Sequence, residues 1–258
     1  MVIAVQLDEF TEAFKKQIKE GKVVVFTGAG MSTASGIKDF RGENGIYKEN
    51  ERAEDILHIN YFNSNPEGFW DFYRKYLVLN EDVMPNDAHR LIKELQDDGI
   101  VTSIITQNID GLDLKAGCKN IIELHGNTNK FYCTQCQEEY KPEDLSELDK
   151  TPRCRKCSGI IRPDIVLYGE GLNWENEMKA QETINYAKTL LVIGSTLEVR
   201  PAADYVKYFY VDAHIRGNKK LFIINKGRTT FDGYPDIYRY DGDVIDFVRK
   251  YKDNSKDR

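Results

Sequence analysis

Four of the five cysteines restrict the fold of this chain more than any other feature of its sequence. They form two pairs, Cys133-Thr-Gln-Cys136 and Cys154-Arg-Lys-Cys157, with residues 137 to 153 between them. This spacing is typical of four thiolates that surround one tetrahedral Zn²⁺ ion and leave no position open for catalysis. The sequence therefore predicts a structural zinc ribbon over residues 129–159. A pair of redox dithiols and a nucleic-acid-binding ribbon with basic residues beside the second pair stay open as alternatives.

Composition narrows the class of protein further. The chain has 258 residues, of which 41% are hydrophobic and 30% charged, and this balance suits a sizeable globular core rather than a fibrous or disordered chain. A net charge of −6 disfavours a broadly basic nucleic-acid binder. No run approaches the roughly 18 apolar residues of a transmembrane helix. The N-terminal residues lack the basic and apolar regions of a signal peptide, so we expect a cytoplasmic protein.

Six continuous apolar runs, rich in β-branched residues, are typical of strands buried on both faces of a parallel sheet. They span residues 23–26, 101–106, 121–124, 165–168, 190–193 and 221–224. Helical periodicity occurs before the first run, ending at Gly21, and in segments that begin after Asn86, at Pro201 and after Asp241. Strands that alternate with helices predict an α/β fold, a Rossmann-like doubly wound parallel sheet.

Two stretches interrupt this alternation. Residues 47–80 are rich in aromatic side chains and indicate short helices, and residues 129–159 contain the cysteine pairs. We therefore predict a small domain formed by a helical module (47–80) and a zinc-ribbon module (129–159). Both would be inserted into a Rossmann-like domain that comprises residues 1–46, 81–128 and 160–258.

The sequence after the first predicted strand suits phosphate binding. Gly28 and Gly30 would let the backbone approach a diphosphate, and the N–H groups of a following helix would point at it. Thr33 stands where a third glycine of the dinucleotide fingerprint would be, so a plain strand-to-helix turn is an equal alternative. The segment Asp39-Phe40-Arg41 could bind ribose and phosphate beside a flat wall, or form a surface loop with one ion pair.

Polar residues also follow four of the other predicted strands. They are Gln107-Asn-Ile-Asp110, His125-Gly-Asn127, Gly194-Ser-Thr196 and Asn225. In a parallel sheet these residues share the carboxyl edge, where ligands bind. His125 is the histidine at this edge, and we predict that it is a general base, with a structurally satisfied core histidine as the alternative. We expect His58 and His214 at the surface and His89 in a structural hydrogen bond.

Together these motifs resemble the sirtuin family of NAD-dependent protein-lysine deacylases, in its bacterial and archaeal single-core form. The matching segments are Gly28–Gly42, Thr106–Asp110, His125–Gly126, both cysteine pairs, Arg162–Glu170, Gly194–Pro201 and Ile224–Asn225. The resemblance implies NAD as co-substrate of the Rossmann-like domain, a structural Zn²⁺, and acyl-lysine proteins or peptides as partners, with neither membrane nor nucleic acid. The implied reaction transfers the acyl group to ADP-ribose and releases nicotinamide and O-acetyl-ADP-ribose. A mono-ADP-ribosyltransferase, a longer-chain deacylase and an NAD-sensing interaction module remain alternatives.

The resemblance also implies roles for individual residues. Contacts to NAD would come from Gly28, Ala29, Gly30, Ser32, Thr33, Asp39, Phe40, Arg41, Gln107, Asn108, Ile109, Asp110, Gly194, Ser195, Thr196, Asn225, Gly242 and Asp243. The substrate peptide would pair with Val166, Leu167, Tyr168 and Gly169 on one side and with Leu197, Glu198 and Val199 on the other. His125 and Asn108 would be the catalytic residues. The zinc ligands would be Cys133, Cys136, Cys154 and Cys157.

The chain departs from the usual family pattern at four positions. Lys38 replaces a Pro, Asp113 a His, Tyr168 a Phe, and Asn173 a Pro. The branch of the family that prefers acidic acyl groups has a Tyr-x-x-Arg pair in the helical module. Here Tyr73 is followed by Tyr76, so we expect a preference for acetyl or other short neutral acyl groups.

Overall fold

The computed structural model describes residues 5–42, 44–80, 82–145 and 150–253. Its strands are β1 (Val23–Thr27), β2 (Val101–Thr106), β3 (Ile121–Glu123), β4 (Gly126–Cys133), β5 (Glu139–Tyr140), β6 (Ile161–Ile165), β7 (Thr189–Ile193), β8 (Lys220–Ile224) and β9 (Ile237–Tyr240). Its helices are α1 (Leu7–Gln17), α2 (Ile46–Glu49), α3 (Ala53–Ile56), α4 (Ile59–Ser64), α5 (Pro66–Tyr76), α6 (Asp87–Asp97), α7 (Leu112–Lys115), α8 (Trp174–Tyr186), α9 (Ala202–Arg216) and α10 (Val244–Asp253). None of these helices is long and apolar enough to cross a membrane.

The larger sheet has six parallel strands in the order β3-β2-β1-β7-β8-β9. All residues of β1 and β7, its two central strands, are buried, as the continuous apolar runs predict. The chain runs outward from β1 to β2 and β3 on one side and from β7 to β9 on the other. The predicted doubly wound α/β sheet is therefore confirmed, with its change of direction between β1 and β7.

Apolar cores cover both faces of this sheet. On one face α8 and α9 pack over residues such as Phe26 and Leu190. On the other face α1, α6 and α10 enclose an aromatic group in which Phe10 meets the rings of Phe222 and Phe247 edge to face, at centroid distances of 5.5 and 5.6 Å. These cores hold the strands rigidly and so fix the positions of the loops at their carboxyl ends.

A smaller antiparallel sheet, in the order β5-β4-β6, carries the cysteine pairs. Helices α2 to α5 pack against it in a third apolar cluster that joins Phe69 and Trp70 to Phe131 and Ile161. The indole nitrogen of Trp70 also donates a hydrogen bond to the carbonyl oxygen of Ile161, at 3.2 Å. The aromatic residues of the first predicted insertion are thus the apolar partners of the second.

The sequence predictions are wrong for the run 165–168 and for the cap of the last helix. The run 165–168 is not a strand of the parallel sheet, because β6 belongs to the small antiparallel sheet and ends at Ile165. The cap of α10 is Asp243 rather than Asp241, since the Asp243 carboxylate accepts a hydrogen bond from the backbone N–H of Ile245 at 2.8 Å. The carboxylate of Asp241 instead accepts from the backbone N–H of Gly227.

Candidate active site

The loops that follow β1, β2, β7 and β8 lie side by side at the carboxyl edge of the large sheet. Backbone hydrogen bonds continue the strand pairing into them: Gly28 N–H donates to Ile193, and Gln107 N–H donates to Thr27, each at 2.9 Å. In the same way Gly194 N–H donates to Ile224 at 2.9 Å. The polar residues that sequence analysis places at this edge are therefore brought together.

Glycines make the closest of these loop contacts possible. A Cβ atom on Gly28 would lie 2.7 Å from the carbonyl oxygen of Gly194, and one on Gly30 would lie 2.7 Å from the Cα of Gly194. Gly194 itself has φ +66°, and its Cβ would lie 2.2 Å from the backbone nitrogen of Met31. These three glycines thus allow the first and third loops to touch, which is a different requirement from the predicted approach to a diphosphate.

The predicted helix after β1 is absent from the described structure. Two short 3₁₀ turns, Ala29–Met31 and Thr33–Ser35, follow the strand instead. Their brevity means that no full helix dipole follows β1 at this edge of the sheet. Thr33 is exposed, and its hydroxyl group donates to the carbonyl oxygen of Gly30 at 3.1 Å. Ser32 is buried and directs its hydroxyl group toward the second loop.

Ser32, Asn108 and Asp110 form one hydrogen-bonded group. The Ser32 hydroxyl donates to Asp110 Oδ2 at 2.7 Å, and Asn108 Nδ2 donates to the carbonyl oxygen of Gly28 at 3.1 Å. Asp110 Oδ1 accepts from the backbone N–H of Leu112, which begins α7. Burial raises the pKa of Asp110 above its usual range. The carbonyl oxygen of Ile109 accepts from the backbone N–H and hydroxyl of Thr128, so the loop is fixed to β4.

The imidazole of His125 has a defined orientation. Its Nδ1 lies 3.1 Å from the carbonyl oxygen of Gln107, which can only accept a hydrogen bond. Nδ1 must therefore carry the proton in this contact, and Nε2 of the neutral ring is left with a free lone pair. Burial lowers the pKa of His125, although the bond to Gln107 works in the opposite direction. The neutral ring is thus favoured near neutral pH and can accept a proton at Nε2.

The side chain of Gln107 is half satisfied. Its Oε1 accepts a hydrogen bond from the hydroxyl group of Ser195 at 3.0 Å. Its Nε2 is buried and has no hydrogen-bond partner among the residues that the structure describes. Because an unpaired buried donor costs about 1–3 kcal/mol, the site suits a ligand that brings an acceptor such as a ribose hydroxyl.

The residues predicted for the adenosine half of NAD lie farther along the same edge. Asn225 is buried, and its amide group donates to the carbonyl oxygens of Lys226 and Gly227 at 3.2 and 3.3 Å. Thr196 donates its hydroxyl to Glu198 at 3.2 Å. Gly242 leaves room for the ring of Tyr240, which a Cβ would meet at 2.3 Å. Asp243 has the structural task of capping α10 described above.

The segment Asp39–Arg41 is a loop fixed to the helical region rather than a free surface loop. Asp39 Oδ1 accepts from the backbone N–H of Gly42 at 3.0 Å and so closes a tight turn. The rings of Phe40 and Tyr47 lie 5.6 Å apart. The guanidinium of Arg41 donates to the hydroxyl of Tyr168 at 3.0 Å. Lys38, which replaces the usual Pro, forms an ion pair with Glu49 at the end of α2.

The first predicted peptide-binding segment passes between His125 and the helices. The backbone N–H of Val166 donates to the carbonyl of His125, and that of Tyr168 donates to Leu57, each at 2.9 Å. Gly169 has φ +87°, and its Cβ would lie 2.7 Å from the His58 ring. His58 is therefore half-buried against this segment, and it caps α4 by accepting from Asn60 N–H at 3.1 Å. Its prediction as a surface residue misses this contact.

The second predicted peptide-binding segment has a more structural character at its start. Leu197 is buried in the core beneath α8 and α9 and has φ +60°. Its backbone N–H donates to the Ser195 hydroxyl at 3.2 Å, and its carbonyl accepts from the Thr230 hydroxyl at 2.9 Å. Glu198 is exposed and Val199 is half-buried.

An ion pair that sequence analysis did not assign fixes the first predicted peptide-binding segment. Arg162 is buried and donates two hydrogen bonds to the carboxylate of Glu170, at 2.7 and 2.8 Å. Glu170 also accepts from the backbone N–H of Leu167 at 2.8 Å. Both residues lie inside the segment Arg162–Glu170 that matches the family. Their opposite charges were the feature of the sequence that could have predicted the ion pair.

The four cysteines converge as predicted. All four Sγ atoms lie within 4.8 Å of one another, with Cys133 and Cys157 3.5 Å apart and Cys136 and Cys154 3.6 Å apart. Tetrahedral zinc with Zn–S bonds of about 2.3 Å separates its sulfurs by about 3.8 Å, so the cluster fits Zn²⁺. Backbone N–H groups of Gln135 and Lys156 point at two of the sulfurs and would stabilise thiolates.

Three further titratable residues, His89, His214 and Asp113, have side chains with contrasting surroundings. His89 is buried and forms a capping box with Asn86, and burial lowers its pKa to about 4, so the predicted structural role is confirmed. His214 is exposed and contacts Asp236, also as predicted. Asp113 is buried behind Asp110, and its Oδ1 has no partner within the described part of the chain.

Comparison with known proteins finds a match to the Sir2 family over residues 28–201. The chain is 39% identical over 249 residues to an NAD-dependent protein deacetylase of Clostridium acetobutylicum, covering 94% of this chain and 98% of that protein. It is 40% identical over 230 residues to the NAD-dependent protein deacetylase of Thermotoga maritima, covering 88% and 90%. A solved structure of Sir2 with a p53 peptide and NAD⁺ has a TM-score of 0.85 at 36% identity, covering 96% and 99%. A Sir2 structure bound to a propionylated peptide has a TM-score of 0.84 at 35% identity, covering 95% and 98%.

Proposed function

The chain belongs to the Sir2 family, and from that membership we propose that it is an NAD-dependent protein-lysine deacetylase. The observation that carries the proposal is the fixed orientation of His125. Its Nδ1 is held by the Gln107 carbonyl, so Nε2 is the basic atom. Gln107 is followed by Asn108, whose amide nitrogen lies 3.4 Å from the hydroxyl of Ser32. The relatives matched over most of their length are NAD-dependent protein deacetylases, and the matched structures contain NAD and peptides.

NAD would lie along the carboxyl edge of the large sheet. The unpaired Nε2 of Gln107 would donate to a ribose hydroxyl, and the Ser32–Asn108–Asp110 group would receive the nicotinamide end. Arg41 would neutralise part of the diphosphate charge. The loops after β7 and β8, with Ser195, Thr196 and Asn225, and the Gly242–Asp243 turn would hold the adenosine half.

The zinc would be structural. The four thiolates leave no open coordination position, so the ion would not contact the substrate. Its binding energy would stabilise the β4–β6 ribbon, whose apolar residues pack on α5. A correctly formed ribbon holds β6 and, through the Arg162–Glu170 ion pair, the peptide segment.

The reaction would begin when the carbonyl oxygen of the acyl-lysine attacks C1′ of the nicotinamide ribose and nicotinamide leaves. Its departure is favoured because the cationic pyridinium becomes neutral. His125 Nε2 would then take the proton of a ribose hydroxyl, and that oxygen would attack the carbon of the acyl group. Water completes the release of lysine and O-acetyl-ADP-ribose. Asn108 would line the nicotinamide pocket, in a site that excludes bulk solvent.

The decisive test follows nicotinamide and O-acetyl-ADP-ribose during incubation with NAD and an acetyl-lysine peptide. Wild-type protein is expected to form both products, and His125→Ala is expected to lose at least about 10²-fold in rate, as removal of a general base does. His214→Ala, which changes an exposed histidine remote from the sheet edge, is the matched control. Equal rates for wild type and His125→Ala would contradict the role of His125, and no nicotinamide from wild type would contradict the function.

The acyl preference follows from the helical region. The hydroxyl of Tyr73 is buried and donates to the carbonyl of Thr128 at 2.6 Å, and Tyr76 packs on Phe72. Neither position supplies a cation for an acidic acyl chain. We therefore expect acetyl-lysine peptide to react faster than the matching succinyl-lysine peptide, and faster turnover of the succinyl peptide would contradict this expectation.

Two further predictions belong to this proposal. The helices of residues 47–80 and the ribbon of residues 129–159 would form one small domain over the cleft, with residues 1–46, 81–128 and 160–258 as the NAD-binding domain. Limited proteolysis with and without NAD tests this division. The cytoplasmic location that the sequence favours stays a prediction, which fractionation of the host cells tests.

A further inference from the structure

Tyr168 is the position at which the usual Phe of the family is replaced, and its hydroxyl group lies at a junction. The Arg41 guanidinium donates to this oxygen at 3.0 Å, and the hydroxyl of Tyr47 lies 2.8 Å from it. Arg41 belongs to the loop proposed to contact NAD, Tyr47 to α2, and Tyr168 to the peptide segment. One hydroxyl group therefore joins three parts of the proposed site.

The position of this hydroxyl is set by the peptide segment. Tyr168 forms a parallel β-bridge with His58: its backbone N–H donates to Leu57 at 2.9 Å, and its carbonyl accepts from Ile59 N–H at 3.0 Å. Gly169, the next residue, packs directly against the His58 ring. The preceding residue, Leu167, is bonded as well: its backbone N–H donates to the Glu170 carboxylate at 2.8 Å, and its carbonyl accepts from Glu170 N–H at 3.0 Å. The peptide segment is therefore fixed by backbone hydrogen bonds at both Leu167 and Tyr168.

The contacts of Arg41 leave part of its guanidinium available. It donates one hydrogen bond to Tyr168, lies 5.1 Å from the centroid of the Tyr47 ring, and is 3.7 Å from the exposed carboxylate of Glu54. The side chain is 34% exposed. Since a guanidinium has five N–H donors, an arginine held at one nitrogen can still direct the others at an anion. A held arginine also loses less conformational freedom when the anion binds.

We propose that the hydroxyl group of Tyr168 is a positioning group that holds Arg41 for the NAD diphosphate and links that contact to the peptide segment. This inference rests on the proposed function, because it assigns to Arg41 a contact with NAD. A phenylalanine at this position would keep the ring and lose both hydrogen bonds. Tyr168→Phe is therefore a nearly isosteric test of the hydroxyl alone.

Steady-state kinetics should separate positioning from a general structural effect. Tyr168→Phe is expected to raise KM for NAD about three- to tenfold, which is the loss of one hydrogen bond, while kcat at saturating NAD stays within about twofold. Tyr47→Phe, which removes the other partner of the same hydroxyl, is expected to raise KM for NAD by a smaller factor. Tyr208→Phe removes an exposed hydroxyl on α9 and is the matched control. An unchanged KM for NAD in Tyr168→Phe and Tyr47→Phe, or a rise confined to KM for the peptide, overturns the proposal.

A double-mutant cycle identifies the route of the effect. In an Arg41→Gln background, Tyr168→Phe should change KM for NAD little further, because its partner is already lost. A full additional effect in that background overturns the proposal. Calorimetric titration with ADP-ribose, in the absence of peptide, should show the same order of affinities among the folded variants. This measurement needs no turnover. Wild-type protein that binds ADP-ribose but releases no nicotinamide would contradict the proposed function, while the effect of the Tyr168 hydroxyl on ADP-ribose affinity could still be measured.

Discussion

We predict that the buried carboxyl group of Asp113 makes the free energy of unfolding depend on pH. The residue is 4% exposed, and burial raises its pKa to about 7, with the nearby carboxylates of Asp110 and Glu123 adding to the effect. A hydrogen bond with Thr106 works in the opposite direction. Asp113→Asn keeps the shape of the side chain and removes its ionisation.

The sign follows from the direction of the shift. Because the folded pKa lies above the unfolded value of 3.8, the folded state binds more protons, and stability falls as pH rises from about 4 to about 7. Compared with its value at low pH, where Asp113 is protonated in both states, the free energy of unfolding is lower by about 2 kcal/mol near pH 5.5 and by about 4 kcal/mol near pH 8.5. Asp113→Asn should therefore gain about 2 kcal/mol relative to wild type between these two pH values.

Urea denaturation of both proteins, in zinc-containing buffer at each pH, measures this change. Titrations of groups that do not interact with Asp113 are shared by the two proteins and cancel in the difference between their unfolding free energies. Asp98→Asn, an exposed substitution just beyond α6, is the matched control for the exchange of a carboxyl group for an amide. A flat difference for Asp113→Asn, or one that falls as pH rises, would refute the reasoning.

Three other changes test the packing of the site. Gly194→Ala should lower the free energy of unfolding by more than about 2 kcal/mol, because the added Cβ collides with Met31 and the residue already has an unfavourable φ. Gly217→Ala, at φ +68° and with open space around it, should cost only about 1 kcal/mol. Equal costs in urea denaturation would disprove the contribution of the loop contact. Glu170→Gln should cost about 3 kcal/mol in the same assay, because it leaves the Arg162 charge buried and unpaired, while the exposed Asp204→Asn should cost less than about 1 kcal/mol. Chelation of zinc should remove the near-ultraviolet dichroism of aromatic residues packed on the ribbon and abolish peptide turnover, but should leave ADP-ribose binding in place; turnover by metal-free protein would contradict a structural role.

The sequence was most informative where a single physical requirement controls the residue type. Continuous apolar runs identified all strands of the large sheet except β9. In β9 the apolar run is interrupted by Arg239, which is buried and pairs with Asp232. The cysteine spacing predicted a cluster that the structure forms. The loops at the carboxyl edge meet because parallel strands end there, which topology alone dictates.

Contacts between distant segments could not be predicted in the same way. The run 165–168 has the composition of a buried parallel strand, but its backbone partners are Leu57, Ile59 and His125. The cap of α10 shifted by two residues because Asp241 is used by another loop. A Gly-x-Gly pair such as Gly28 and Gly30 can serve either a phosphate-binding turn or a close contact between loops. The sequence does not distinguish the two roles, because the contact depends on the position of Gly194 in space.

The shared apolar cluster of the helices and the ribbon has a consequence for biosynthesis. The rings of Trp70 and Tyr73 pack against Phe131, which follows much later in the chain. During translation these aromatic side chains remain uncovered until the ribbon has emerged from the ribosome and folded. The nascent chain thus passes through a stage of exposed hydrophobic surface, when chaperone binding or aggregation competes with folding. The supply of zinc at that stage would then decide the yield of active protein.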